Sequence, residues 1–131
     1  MGPAAPLAFA ATTFDPTEQH TALERFVRAS GTELDENEVR EQVDTAMLTA
    51  PHVRAALLAR STDHVATWRA FDKPVAVFHG ALDRVVPIAT AELLSSIAPH
   101  ARLERFDDVG HLVFREAPGR FDAALTRFVA P

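Results

Sequence analysis

The sequence predicts an α/β fold: two parallel strands joined by a right-handed crossover, with closing helices, behind a helix-rich leading segment. Three observations carry this. "PVAVFHG" (Pro74 to Gly80) and "ARLERFD" (Ala101 to Asp107) have strand composition and short length. Between them, "IATAELLSSIAPH" places Ile88, Ala91, Leu94 and Ala98 at helical spacing. Before Lys73 the pattern is helical, which divides the chain into an irregular start (1–14), a helical segment (15–72) and an α/β segment (73–131).

Taken in order, "MGPAAPLAFAATTF" is apolar but has no basic residue before Arg25, so it does not read as a secretory leader. "DPTEQHTALERFVRASG" has Asp15 as N-cap, Pro16 at the first helical position, Leu23, Phe26 and Val27 on one stripe, and Gly31 as a stop. A second helix starts at Asp35, with acidic residues in its first turn and Val39, Val43, Ala46 and Met47 along one face. Pro51 begins a third, with Val53, Ala56 and Leu57 as its apolar face. A short fourth follows Thr62 and bears Val65 and Trp68.

"VAVF" is a continuous apolar run ending at Gly80, the pattern of a strand buried on both faces. Two parallel strands alone leave open edges, so this strand is expected to have another neighbour. Residues 7–11 or a partner chain are the candidates. The last segment, "APGRFDAALTRFVAP", reads as an amphipathic helix on Phe121, Leu125 and Phe128.

Composition narrows the function classes. Thirteen basic against eighteen acidic residues give a formal charge of -5, with no basic run to follow a phosphate backbone, so nucleic acid is not an expected partner. No 18-residue apolar window exists, so no membrane span is expected. Cysteine is absent, which removes thiolate chemistry and sulfur-ligated metals, and a reducing cytoplasm is the default location.

Open α/β sheets place ligands at the carboxyl ends of their strands, where "HGALDRVVP" and "DDVGHLVF" both fall. Asp83 and His111 stand 28 residues apart, one strand-helix-strand unit, so adjacent strand ends bring them together. A carboxylate that holds a histidine in one tautomer suits proton abstraction from a hydroxyl. Taken singly, Asp83 also fits a turn residue and His111 a histidine bonded to backbone. His79 ends a strand without a third ligand in view and reads as a hydrogen-bonding residue; no metal site is expected. Trp68 at an element junction, Val85 and Val86 after the acid, and Met47 on a helix stripe are candidate substrate contacts, with core packing the competing role.

With "PVAVFHGALDRVVP" and "VGHLVFREAPGRFDAALTRFV" in place, residues 73–129 resemble the carboxyl-terminal portion of the α/β-hydrolase superfamily. "MLTAPHVRAALLAR" is similar, more weakly, to the cap that the family inserts between its sixth and seventh strands. The resemblance implies a partial α/β-hydrolase fold, hydrolysis of an ester-like bond in a small, mostly apolar molecule, and no cofactor. It also implies Asp83 as triad acid, His111 as triad base, and Glu116 at the family's acidic position before a proline, where helix capping is the expected job.

A triad of this kind takes its serine from G-x-S-x-G, before the acid in the chain. That motif is absent: Ser30, Ser61, Ser95 and Ser96 have no glycine two residues before them and no strand in front. The chain is therefore expected to lack turnover by itself. It would be a fragment, one half of an enzyme completed by a second chain bearing the serine, or a non-catalytic binding module; a homo-oligomer would also cover the open strand edge.

Overall fold

Residues 2–130 are described by a computed structural model of the chain. Helices α1 (Ala5–Ala10), α2 (Pro16–Ser30), α3 (Glu36–Met47), α4 (Pro51–Leu58) and α5 (Val65–Ala70) precede strand β1 (Val75–Gly80). Helix α6 (Ile88–Ile97), strand β2 (Ala101–Phe106), and helices α7 (Val113–Glu116) and α8 (Pro118–Val129) complete the order.

The expected caps form. Asp15 accepts the amides of Thr17 at 2.8 Å and Glu18 at 2.9 Å. Asp35 and Glu38 make a reciprocal capping box at the start of α3. Each such cap stabilises its helix by about 1 kcal/mol, because it satisfies amides that the first turn leaves without partners. Helices α2 and α3 then bury Leu23, Val27, Val39 and Val43 against one another, with Ala11 and Ala22 alongside. The long helices thus have their own core.

Strands β1 and β2 pair in parallel, with Val75 opposite Ala101 and Gly80 opposite Phe106. Helix α6 returns the chain between them, burying Ala91 and Ala98. A second core forms where β2 meets the closing helices: Phe106, Val109, Val113 and Ala117 are buried, with Phe78 and Phe121 packed against them. The rings of Phe78 and Phe121 meet edge-to-face at 5.1 Å, an arrangement that aromatic quadrupoles favour.

Four expectations are corrected. The irregular start contains a helix, α1, which rules out residues 7–11 as a strand beside β1. Its alanines favour helix and Pro6 falls in the first turn, where a missing amide is harmless. The chain ahead of α1 is instead tied to the loop after β1, Gly2 donating its amide to Val85 at 2.9 Å and Ala4 to Arg84 at 2.8 Å. Second, β1 is not buried on both faces: Val75 to His79 are half-buried, because among the described residues β2 is its one neighbour in the sheet. Third, the face of α4 that carries Val53 and Leu57 is exposed, and the helix turns Arg54 and Leu58 inward. Fourth, in α8 the buried residue is Ala124, with Phe121 half-buried, while Leu125 and Phe128 stay more than a third exposed, at 38% and 39%.

Candidate active site

The loops after β1 and β2 are laced together by backbone. Ala81 donates to Phe106 at 2.8 Å and Leu82 to Val109 at 3.0 Å. Gly80 makes the approach close enough: a β-carbon there would overlap the carbonyl oxygens of Gly110 and Val109. This explains glycine at the end of β1, and it fixes the distance between the two loops that carry polar side chains.

Asp83 turns inward at the start of that arrangement. Its Oδ1 accepts the amides of Val85 at 2.7 Å and Val86 at 2.9 Å, a local side-chain turn that holds the carboxylate rigid. Its Oδ2 lies 2.8 Å from His111 Nδ1. The Asp83 side chain is 4% exposed while that of His111 is 35% exposed, so the pair runs from the interior to an accessible ring. With Nδ1–H donating to the carboxylate, the neutral imidazole carries its lone pair on Nε2, the tautomer that can take a proton from a hydroxyl.

His79 shares the same carboxylate more loosely. Its Nδ1 lies 2.9 Å from the Gly80 carbonyl oxygen and its Nε2 lies 3.6 Å from Asp83 Oδ2. It therefore stands behind the acid as a hydrogen-bonding neighbour. Among the described residues no cluster of three or more His, Asp or Glu is arranged to hold a metal ion.

His111 is fixed from its backbone as well. Its amide donates to the carbonyl of Ser30, the last residue of α2, at 2.8 Å. Glu116, expected from the sequence to cap a helix, does accept the amide of Leu112, the N-cap residue of α7, and it also reaches back across the histidine loop. Its carboxylate accepts the amides of Gly110 and Leu112, each at 3.0 Å, and the amide and hydroxyl of Thr32 at 2.9 and 2.5 Å. Burial alone would raise the pKa of this carboxyl, but the hydrogen bonds from Thr32, Gly110 and Leu112 outweigh it and hold the pKa below its ordinary value.

The other sequence-derived candidates separate. Val85 and Val86 serve the acid through their backbone amides, and Val85 also accepts from Gly2. Trp68 is half-buried and meets Phe71 edge-to-face at 5.8 Å. Met47 packs against the core of α2 and α3. A cavity of about 540 Å³ lies among the first four helices and reaches Arg115, lined by Leu23, Phe26, Val27, Ala46, Arg54 and Leu58 among others; neither Asp83 nor His111 lines it. The Ser30 hydroxyl donates to Val27 at 2.7 Å and that of Ser96 to Leu93 at 2.7 Å, so both are engaged locally in their own helices.

Two features had weaker signals in the sequence. The Asp83 turn could be read from an aspartate two and three residues before the amides it binds. The Glu116 clamp depends on a contact with Thr32, 84 residues away, which spacing does not reveal.

A parallel βαβ unit with an acid after its first strand and a histidine after its second defines the carboxyl-terminal part of a hydrolase-type α/β sheet. The chain belongs to the α/β hydrolase fold family, whose model matches residues 5–118. It is similar to a pimeloyl-[acyl-carrier protein] methyl ester esterase from Aromatoleum aromaticum, 37% identical over 86 residues, which covers 61% of this chain and 34% of that protein. Among solved structures it is similar to an esterase from a Rhodococcus species, with 30% identity and a TM-score of 0.88 over 97% of this chain and 47% of that one. A hydrolase from Pseudomonas aeruginosa matches with 28% identity and a TM-score of 0.79 over 100% of this chain and 52% of that one. The chain thus spans about half the length of these solved structures and about a third of that curated esterase. Among the described residues no helix is long and apolar enough to cross a membrane.

Proposed function

We propose that this chain supplies the acid and the base of an esterase-like site acting on a small, mostly apolar ester, with the nucleophile and oxyanion hole contributed by residues outside these 131. The observation that carries the reading is the buried Asp83 carboxylate, fixed by two amides and directed at His111 Nδ1. In the completed site His111 Nε2 would take the proton of the attacking hydroxyl and return it to the leaving alkoxide. Asp83 would hold the ring and stabilise its charged form. The esterase names of two similar proteins support the class of bond.

On this reading residues 15–72 act as the cap and 73–131 as part of the catalytic core, and the open edge of β1 receives a strand from the serine-bearing portion. That portion is either the same polypeptide or a second chain. Trp68, Val85, Val86 and Met47 remain proposed substrate contacts, and the cytoplasm the proposed location. The test is to combine this chain with a G-x-S-x-G-bearing segment and to measure hydrolysis of a p-nitrophenyl ester together with labelling by a serine-directed phosphonate. Activity and labelling on combination support the proposal. A combination that assembles yet shows neither would favour a binding module instead, the reading that the absent nucleophile motif permits.

A further inference from the structure

The carboxylate of Glu116 accepts from the residues on either side of His111, and it does so from a half-buried position. Oε1 takes the Leu112 amide; Oε2 takes the Gly110 amide together with the amide and hydroxyl of Thr32. Thr32 lies just beyond α2, and the Ser30 carbonyl two residues earlier accepts the His111 amide. The histidine loop is therefore bonded at three consecutive amides, two to one carboxylate and one to the end of α2. There is no room to rearrange: a β-carbon on Gly110 would stand 2.7 Å from the Ser30 carbonyl oxygen and 3.1 Å from Glu116 Oε1.

We infer that Glu116 is a positioning residue, which sets the direction of the His111 ring toward Asp83 and couples that direction to the helical segment through Thr32. The inference rests on the reading of His111 as a base. Three features distinguish this role from general stabilisation. The bonds converge on the one loop whose side chain must point at a fixed carboxylate. Neither Gly110 nor Leu112 supplies a side-chain partner of its own. A carboxylate also accepts several amides at once, as neutral side chains of the same length do not. A shift of the α2 end would pull on Thr32 and Ser30 together, and so on the histidine loop.

The test reads the ring proton between His111 Nδ1 and Asp83 directly, by nitrogen-15 and proton NMR of the histidine-labelled chain. Glu116→Gln keeps the shape but turns an NH2 toward amide donors. It is expected to stay cooperatively folded while exchange of the ring proton quickens by about tenfold or more, the fold-change of losing a charge-assisted bond. Thr32→Val removes the hydroxyl contact and leaves the carboxylate in place. It is expected to quicken exchange by about threefold, and it decides the matter if the glutamine variant does not fold. A folded Glu116→Gln chain with unchanged ring-proton exchange overturns the inference, as does unchanged exchange in Thr32→Val when the glutamine variant is unfolded. If the unsubstituted chain shows no ring proton bonded to Asp83, the reading of His111 itself fails, a distinct outcome.

Discussion

Asp83 Oδ2 stands 2.8 Å from His111 Nδ1 although 28 residues separate them, and Oδ1 of the same carboxylate is already held by two backbone amides. The acid therefore has one oxygen left, and His111 is the near partner on it, with His79 Nε2 farther off at 3.6 Å. A carboxylate that is fixed before the imidazole arrives loses little freedom when it orients the ring.

Asp83→Asn tests that relationship. With its amide nitrogen facing the ring, asparagine donates where aspartate accepts, forcing the proton of the imidazole onto Nε2 and removing the lone pair that catalysis needs. In the completed enzyme kcat is expected to fall about 10³- to 10⁴-fold while KM changes little. Steady-state ester hydrolysis measures this, and a loss confined to KM would contradict the assigned role.

Acid should loosen the histidine loop through Glu116. Its folded-state pKa lies below the ordinary value of 4.5, so the carboxylate form is favoured by folding. The stabilisation is fully present above that ordinary value and is lost as the pH falls through the lower, folded value. Urea midpoints taken from neutral pH into this acid range should therefore decline, and Glu116→Gln should decline less steeply. Parallel curves for the two proteins would show that the carboxylate is not responsible.

Much of this site was legible because its determinants are local. Asp15 and Pro16 mark a helix start, Gly80 marks a strand end, and the spacing of Asp83 and His111 follows from one crossover unit. What the sequence hid depends on distant partners. Residues 2–11 look irregular or strand-like until Gly2 and Ala4 are seen bonded to the loop at 84–85. The apolar face of α4 points outward because Arg54, a residue that periodicity assigns to the surface, finds three carbonyls inside. A charged side chain satisfied by backbone carries no hydrophobic signature.

Gly80→Ala is expected to be strongly destabilising, out of proportion to the methyl group added. The new carbon would meet two backbone carbonyl oxygens, which cannot rotate away as a side chain would. Relief requires separating the loops after β1 and β2, and this also pulls Asp83 from His111. A loss of about 2–3 kcal/mol in denaturant unfolding is expected, with the ring proton of His111 weakened in parallel. Gly119→Ala is the control: nothing lies within 4 Å of the β-carbon it would add, and its site is helical, so stability should hold or rise slightly.

Arg54 holds the helical segment together from inside. Its Nε donates to the Ala11 carbonyl at 3.1 Å, and its Nη1 to the carbonyls of Ala46 and Thr49 at 2.6 and 2.5 Å. These acceptors lie at the end of α1 and around the end of α3, where helix carbonyls run short of amide partners, although that of Ala46 also accepts the Thr49 amide at 3.1 Å. Burial lowers the pKa of the guanidinium, and Nη2 is buried without a partner among the described residues, so the arrangement carries a desolvation cost. The three carbonyl bonds must offset it. Arg54→Met retains much of the packing but strands the Ala11 and Thr49 carbonyls, while that of Ala46 keeps the Thr49 amide, and a loss of about 2–4 kcal/mol is expected. Arg54→Lys should recover less than half of this, because one ammonium on a flexible stem cannot span the positions that the planar fork reaches. Urea unfolding of both variants decides between the two contributions. A methionine variant as stable as the parent would show that burying the charge costs as much as the three bonds return.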